Sequence, residues 1–71
     1  MLPKYNYAKV VGLDFDGNPM VTVTFSECED VRDGDLIEKV KDIFQMTSYS
    51  WEVERLEDIS PNVTPHNWKK S

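Results

Sequence analysis

Residues 20–44 read MVTVTFSECEDVRDGDLIEKVKDIF, and a change of rhythm inside them decides the fold. Over residues 20–26 apolar and polar side chains alternate. Val21, Val23 and Phe25 point one way; Thr22, Thr24 and Ser26 point the other. A period of two with β-branched residues describes a strand with one packed and one wet face. Residues 27–34, ECEDVRDG, then break the pattern as a charged loop. From Asp35 the period lengthens. Leu36, Ile37, Val40, Ile43 and Phe44 recur at the spacing of one helical face. Asp35 with Glu38 predicts a D-x-x-E capping box, and Asp33 adds negative charge near the positive helix end. The helix is expected to end near Gln45 to Thr47, because Ser48 opens a β-rich run.

Upstream, residues 4–13, KYNYAKVVGL, read as a strand. Tyr5, Tyr7, Val11 and Leu13 share a face interrupted by Lys9, while Asn6, Ala8, Val10 and Gly12 take the other. Apolar residues on both faces suggest a central strand, or a second face covered by something else. Asp14-Phe15-Asp16-Gly17-Asn18-Pro19 reads as the hairpin turn: Asp-Gly supplies positive φ, and Pro19 cannot donate to a ladder. The same stretch has the D-x-D-G-N look of a calcium loop, but its twelfth position is Phe25 rather than a bidentate Glu, so no metal site is expected. Downstream, residues 48–56, SYSWEVERL, form a third strand with Tyr49, Trp51 and Val53 on one face and Ser50, Glu52 and Glu54 on the other. Pro61 and Pro65 break up the last dozen residues. The reading is one domain over residues 1–58 and a partly ordered tail over 59–71.

The order β-β-α-β predicts an α+β fold. A right-handed crossover sets strand three beside strand one, giving a three-stranded antiparallel sheet of order 2-1-3 with one helix packed on one face. That covered face is expected to carry Val21, Val23, Phe25, Tyr49, Trp51 and Val53. The other, with Thr22, Thr24, Glu52 and Glu54, is left open to water or a partner.

Size and charge limit the function. Seventy-one residues make one small domain, which buries only about 60% of its unfolded surface and leaves little room for a deep pocket. The lone Cys28 cannot staple it, which points to a reducing compartment. The opening MLPKYNYAKVVGLDFDG lacks the apolar core of a signal peptide, and no stretch approaches the ~18 apolar residues of a membrane span. The expected location is the cytoplasm. A net charge of −5 argues against binding nucleic acid or anionic lipid directly and is compatible with a basic partner. Cys28 and His66 are the only residues of their kinds, too few for a zinc site, and a nucleophilic pair would need the tail to fold back onto the acidic loop. No glycine-rich phosphate loop is present. The expectation is a non-enzymatic protein without metal or cofactor.

The carboxylates carry more information. All thirteen lie between Asp14 and Asp58 with four basic residues, a local surplus of nine negative charges. At 100° per residue, Asp35, Glu38 and Asp42 fall in an arc of about 60°, nearly opposite the apolar stripe. Glu52 and Glu54 lie roughly 6.6 Å apart on one strand face, about the step of successive phosphates. Glu27, Glu29, Asp30 and Asp33 crowd one loop. Asp35 belongs to capping, and Asp14 and Asp16 to the turn. Glu27, Glu29, Asp30, Glu38, Asp42, Glu52 and Glu54 are left as candidate partner-binding residues. The other class of reading is an ordinary interaction domain working through its open sheet face, an edge strand, or Tyr5, Tyr7 and Trp68 as hot spots.

The length, the ββαβ order, the helix start D-x-x-E-K-V and the closing strand W-E-V-E-R-L resemble very small phage-encoded proteins that disable a host factor. One of that type inhibits host RNA polymerase; another is an acidic DNA mimic that blocks the nucleoid protein HU. The likeness is architectural and covers roughly residues 4–58. The chain departs from the polymerase inhibitor in its acidic loop and longer tail, and no functional residue carries across. The resemblance implies stoichiometric inhibition of a basic, nucleic-acid-binding host protein in the host cytoplasm. An HU-like nucleoid protein ranks first, and RNA polymerase or a defence nuclease second. A homodimer would match the symmetry of a dimeric target.

Overall fold

The computed structural model describes residues 6–68. Its elements are β1 (Tyr7–Leu13), β2 (Pro19–Ser26), α1 (Asp33–Phe44), β3 (Ser50–Leu56) and β4 (His66–Asn67). The sheet order is β3-β1-β2-β4. β1 is antiparallel to both β2 and β3, as the alternating patterns predict. The fourth strand was not expected. β4 pairs in parallel with the end of β2, Phe25 with His66 and Ser26 with Asn67, so the sheet is mixed rather than wholly antiparallel. Two residues are too few to show a period, which is why the sequence pattern misses them.

The register explains which face of β1 is buried. Val10 stands opposite Val23 on one side and Val53 on the other; Ala8 stands opposite Phe25. Ala8, Val10, Val23, Phe25, Cys28, Leu36 and Val40 form the buried core. Gly12 continues this face for a steric reason. A Cβ there would come within 2.9 Å of Trp51 and of Val21 and would collide with Ser48 Oγ. Neighbouring side chains fill the place a larger residue would need.

The β1–β2 turn is built on Asp14. Its carboxylate accepts the amides of Asp16 at 2.9 Å and Asn18 at 2.8 Å, while Gly17 takes φ +85°. Pro19 becomes the first residue of β2, beside a register shift at Gly12/Leu13.

Three expectations need correction. The helix begins at Asp33, two residues early, with Arg32 as N-cap and no side-chain cap, so the Asp35–Glu38 capping box does not form. The amides of Asp35 and Leu36 both reach the Arg32 carbonyl at 3.1 Å, and Glu38 instead pairs with Lys41 at 3.5 Å. The cause is Arg55, which grips Asp33 and the chain before it. Second, β3 starts at Ser50, and Tyr49 is not under the helix. It is 71% exposed and meets Phe15 edge-on at 5.1 Å. Third, the apolar stripe is only partly covered: Leu36 and Val40 are buried, whereas Ile43 and Phe44 are exposed in the last turn, before Gln45 ends the helix in the left-handed region.

The chain crosses the sheet twice. β2 and β3 are parallel to each other, and α1 carries the chain between them over one face. β4 lies at the β2 edge, so the chain must return. A right-handed return uses the opposite face. Accordingly Asp58, Ile59, Ser60, Val63 and Thr64 border a groove with Lys9, Thr22, Thr24 and Glu54, on the side away from α1. The second face is therefore roofed in part by the tail rather than fully open. Beyond β4, Trp68 packs edge-on against Phe25 at 5.6 Å, with Lys39 5.6 Å from its ring centre.

Candidate functional site

The fold separates the seven candidate carboxylates. Glu52 and Glu54 project from β3 on the face away from α1, where the register sets Glu54 beside Lys9 and Glu52 beside Val11. Lys9, Val11, Glu52, Val53 and Glu54 border a concavity of about 490 Å³. Glu54 also borders the tail-roofed groove, about 560 Å³ in volume. Among the described residues no ion pair closes between Lys9 and either glutamate.

Glu27 ends β2 with φ 54°, turning the chain out of the sheet. Glu27 and Glu29 border a hollow of about 310 Å³ with Tyr7, Ser26 and Pro65. Asp30 comes next, on the exposed turn. Glu38 and Asp42 lie on the outer side of α1, where Asp35, Glu38, Lys39, Asp42 and Trp68 border a shallow groove of about 410 Å³. The helix pair and the strand pair thus occupy opposite sides of the sheet. One flat partner surface can meet either pair, with the loop acids at its margin, but not both.

All seven carboxylates are exposed. Apart from Glu38, none has a hydrogen bond or ion pair among the described residues. The acids with structural work are others: Asp14 in the turn and Asp33 at the helix start.

Arg55 is the residue that sequence reading overlooked. It lies on the covered face of β3, opposite Ala8. Nε and Nη2 donate to Asp33 Oδ1 at 3.1 and 2.7 Å, Nη1 donates to the Cys28 carbonyl at 3.0 Å, and Nη2 also donates to the Val31 carbonyl. One guanidinium thereby fastens the acidic loop to the sheet. The signal was available in the alternation: Arg55 shares parity with Trp51 and Val53, and a charge directed toward a core needs partners.

Cys28 is wholly buried beside it. Burial pushes the thiol above its ordinary value and Glu29 adds to that, while Arg55 opposes it. Its sulfur donates weakly to the carbonyls of Asn6 and Phe25, not to His66. The thiolate that a nucleophile requires is disfavoured there. Of the aromatic hot-spot candidates, Tyr5 lies outside the described residues, and Tyr7 and Trp68 are half-buried. The most exposed aromatics among the described residues are Phe15 and Tyr49, at the hairpin end, with Phe44 less so in the last turn of α1. No described helix is long and apolar enough to cross a membrane.

Over its described residues the molecule is thus a small α+β protein with one helix on a four-stranded mixed sheet and acidic groups on both sides. No family model, curated protein or solved structure matches the chain.

Proposed function

We propose that the chain is a non-enzymatic acidic binding protein that occupies the nucleic-acid-binding surface of a basic host protein, its carboxylates standing in for phosphates. The observation that carries this reading is the lack of internal work for Glu27, Glu29, Asp30, Asp42, Glu52 and Glu54. Their carboxylates are exposed and without hydrogen bond or ion pair among the described residues, although Lys9 stands next to Glu54 in the register. Like charges held at close spacing repel, and a basic partner turns that repulsion into attraction. An HU-like nucleoid protein is the favoured partner; RNA polymerase or a defence nuclease is the alternative.

The test is a binding titration against a purified HU-like protein at rising salt, with and without competing duplex DNA. The proposal expects a complex that weakens with salt and that DNA displaces. A complex indifferent to both would sink it. The Phe15–Tyr49 pair supports a second reading, an interaction module anchored by exposed aromatics at the hairpin end. That reading expects loss of binding on Tyr49→Ala and little salt dependence.

A further inference from the structure

β3 is an outer strand of the sheet: β1 pairs with one of its edges, and no described strand pairs with the other. Its two faces differ. Trp51 and Val53, on the α1 side, pack against the core yet are only half-buried. Glu52 and Glu54, on the other side, are exposed and lie beside the concavity they share with Lys9 and Val11. An extended segment laid along this edge would meet apolar side chains on one face and carboxylates on the other.

We infer that the free edge of β3 receives one extended strand of the partner protein, whose residues alternate basic and apolar. The inference rests on the reading of the chain as an acidic binding protein and gives it a place and a geometry. Main-chain hydrogen bonds to the open edge supply adhesion, and alternate side chains supply selectivity. The apolar residues of the added strand cover Trp51 and Val53, and its Lys or Arg residues stand opposite Glu52 and Glu54.

Charge argues against a second copy as the occupant in every two-fold register centred within residues 52–54. In a two-fold antiparallel pairing centred on Val53, Glu52 of each chain faces Glu54 of the other. Centring on Glu52 or Glu54 sets that residue against itself. Like charges directly opposite are destabilising, and opposite charges there are favourable. The same glutamates that guard an edge against self-pairing select a basic strand.

The test uses the full chain and a short synthetic peptide of alternating Lys and Val. The control has the same composition with Lys and Val in separate blocks. Two further alternating peptides carry backbone N-methyl groups on one hydrogen-bonding edge or on the other. The alternating peptide should bind about tenfold more tightly than the block peptide, from two opposite-charge pairs and the added ladder. Only one N-methylated version should retain binding, and amide exchange should slow within β3. Glu52→Lys with Glu54→Lys should abolish the preference for the alternating peptide. Equal binding of alternating and block peptides, equal tolerance of both N-methylated versions, or a β3–β3 homodimer would each overturn the inference. None of these results touches the broader reading, which is tested by whether a basic DNA-binding protein forms a salt-sensitive, DNA-displaceable complex.

Discussion

Arg55 carries more structure than any other charged residue described. Its guanidinium joins β3 to two carbonyls of the acidic loop and to Asp33, the first residue of α1. Removing it strands the partly buried Val31 carbonyl and leaves the Cys28 carbonyl with the Val31 amide alone, whereas removing Asp33 loses an ion pair whose acid is 61% exposed. Arg55→Met should therefore cost about 2–3 kcal/mol, the range for charged hydrogen bonds and orphaned acceptors. Asp33→Asn should cost about 0.5 kcal/mol, as surface pairs do. Urea denaturation midpoints separate the two, and equal losses would contradict the bond pattern. Gly12 yields a second prediction. Gly12→Ala should destabilise by about 1–3 kcal/mol through overpacking against Trp51 and Val21. Cys28 yields a third. Its thiol is raised in the folded state, so the native state holds that proton more tightly than the unfolded chain. The resulting stability is complete below the unfolded thiol's range and falls as pH rises through the folded value. A disulfide reagent should accordingly label Cys28 slowly in native buffer and quickly in denaturant.

At the scale of elements, legibility tracks local pattern. The strand at residues 20–26 and the helix around Leu36 and Val40 announce themselves, because their periods repeat several times within one segment. The order of β3, β1 and β2 comes from chirality once those elements are placed. The features that escaped depend on distant contacts. Asp33 begins the helix because Arg55, twenty-two residues away, holds it. Tyr49 alternates correctly with Trp51 and its amide still reaches the Leu13 carbonyl, but the regular β3–β1 register begins at Ser50. β4 exists because Phe25 and Ser26 offer an edge, a fact that residues 66–67 do not contain. The seven candidate carboxylates were legible as exposed, but their division between two sides of a sheet needs three dimensions. The tail provides the test at this scale. Trp68 packs edge-on against Phe25 and is half-buried, so Trp68→Ala should cost about 2 kcal/mol, below the 3–5 of a fully buried aromatic. A tail that merely trails in solvent would leave the denaturation midpoint unchanged.

For the whole molecule the limiting quantity is charge per length. The described body measures 37 × 25 × 22 Å. Duplex DNA carries one charge per ~1.7 Å, so a 37 Å length presents about 22 phosphates. The chain has thirteen carboxylates, offset by eight basic residues, and it divides the candidate acids between two sides. It can imitate one face of a duplex over part of that length. A basic DNA-binding partner should register this deficit in its salt dependence. Its affinity for this chain should fall with salt less steeply than its affinity for DNA, with a log–log slope about half as large or smaller. Charge reversal should also be one-sided. If the β3 face makes the contact, Glu52→Lys with Glu54→Lys should abolish the complex, while Glu38→Lys with Asp42→Lys should weaken it less than about threefold through long-range attraction alone, which is screened within ~8 Å at physiological salt. Losses of equal size from the two double variants would mean that both sides are gripped, as a cleft that closes around the molecule would do. No loss from either would leave the acidic surface with only the role of keeping so small a protein soluble.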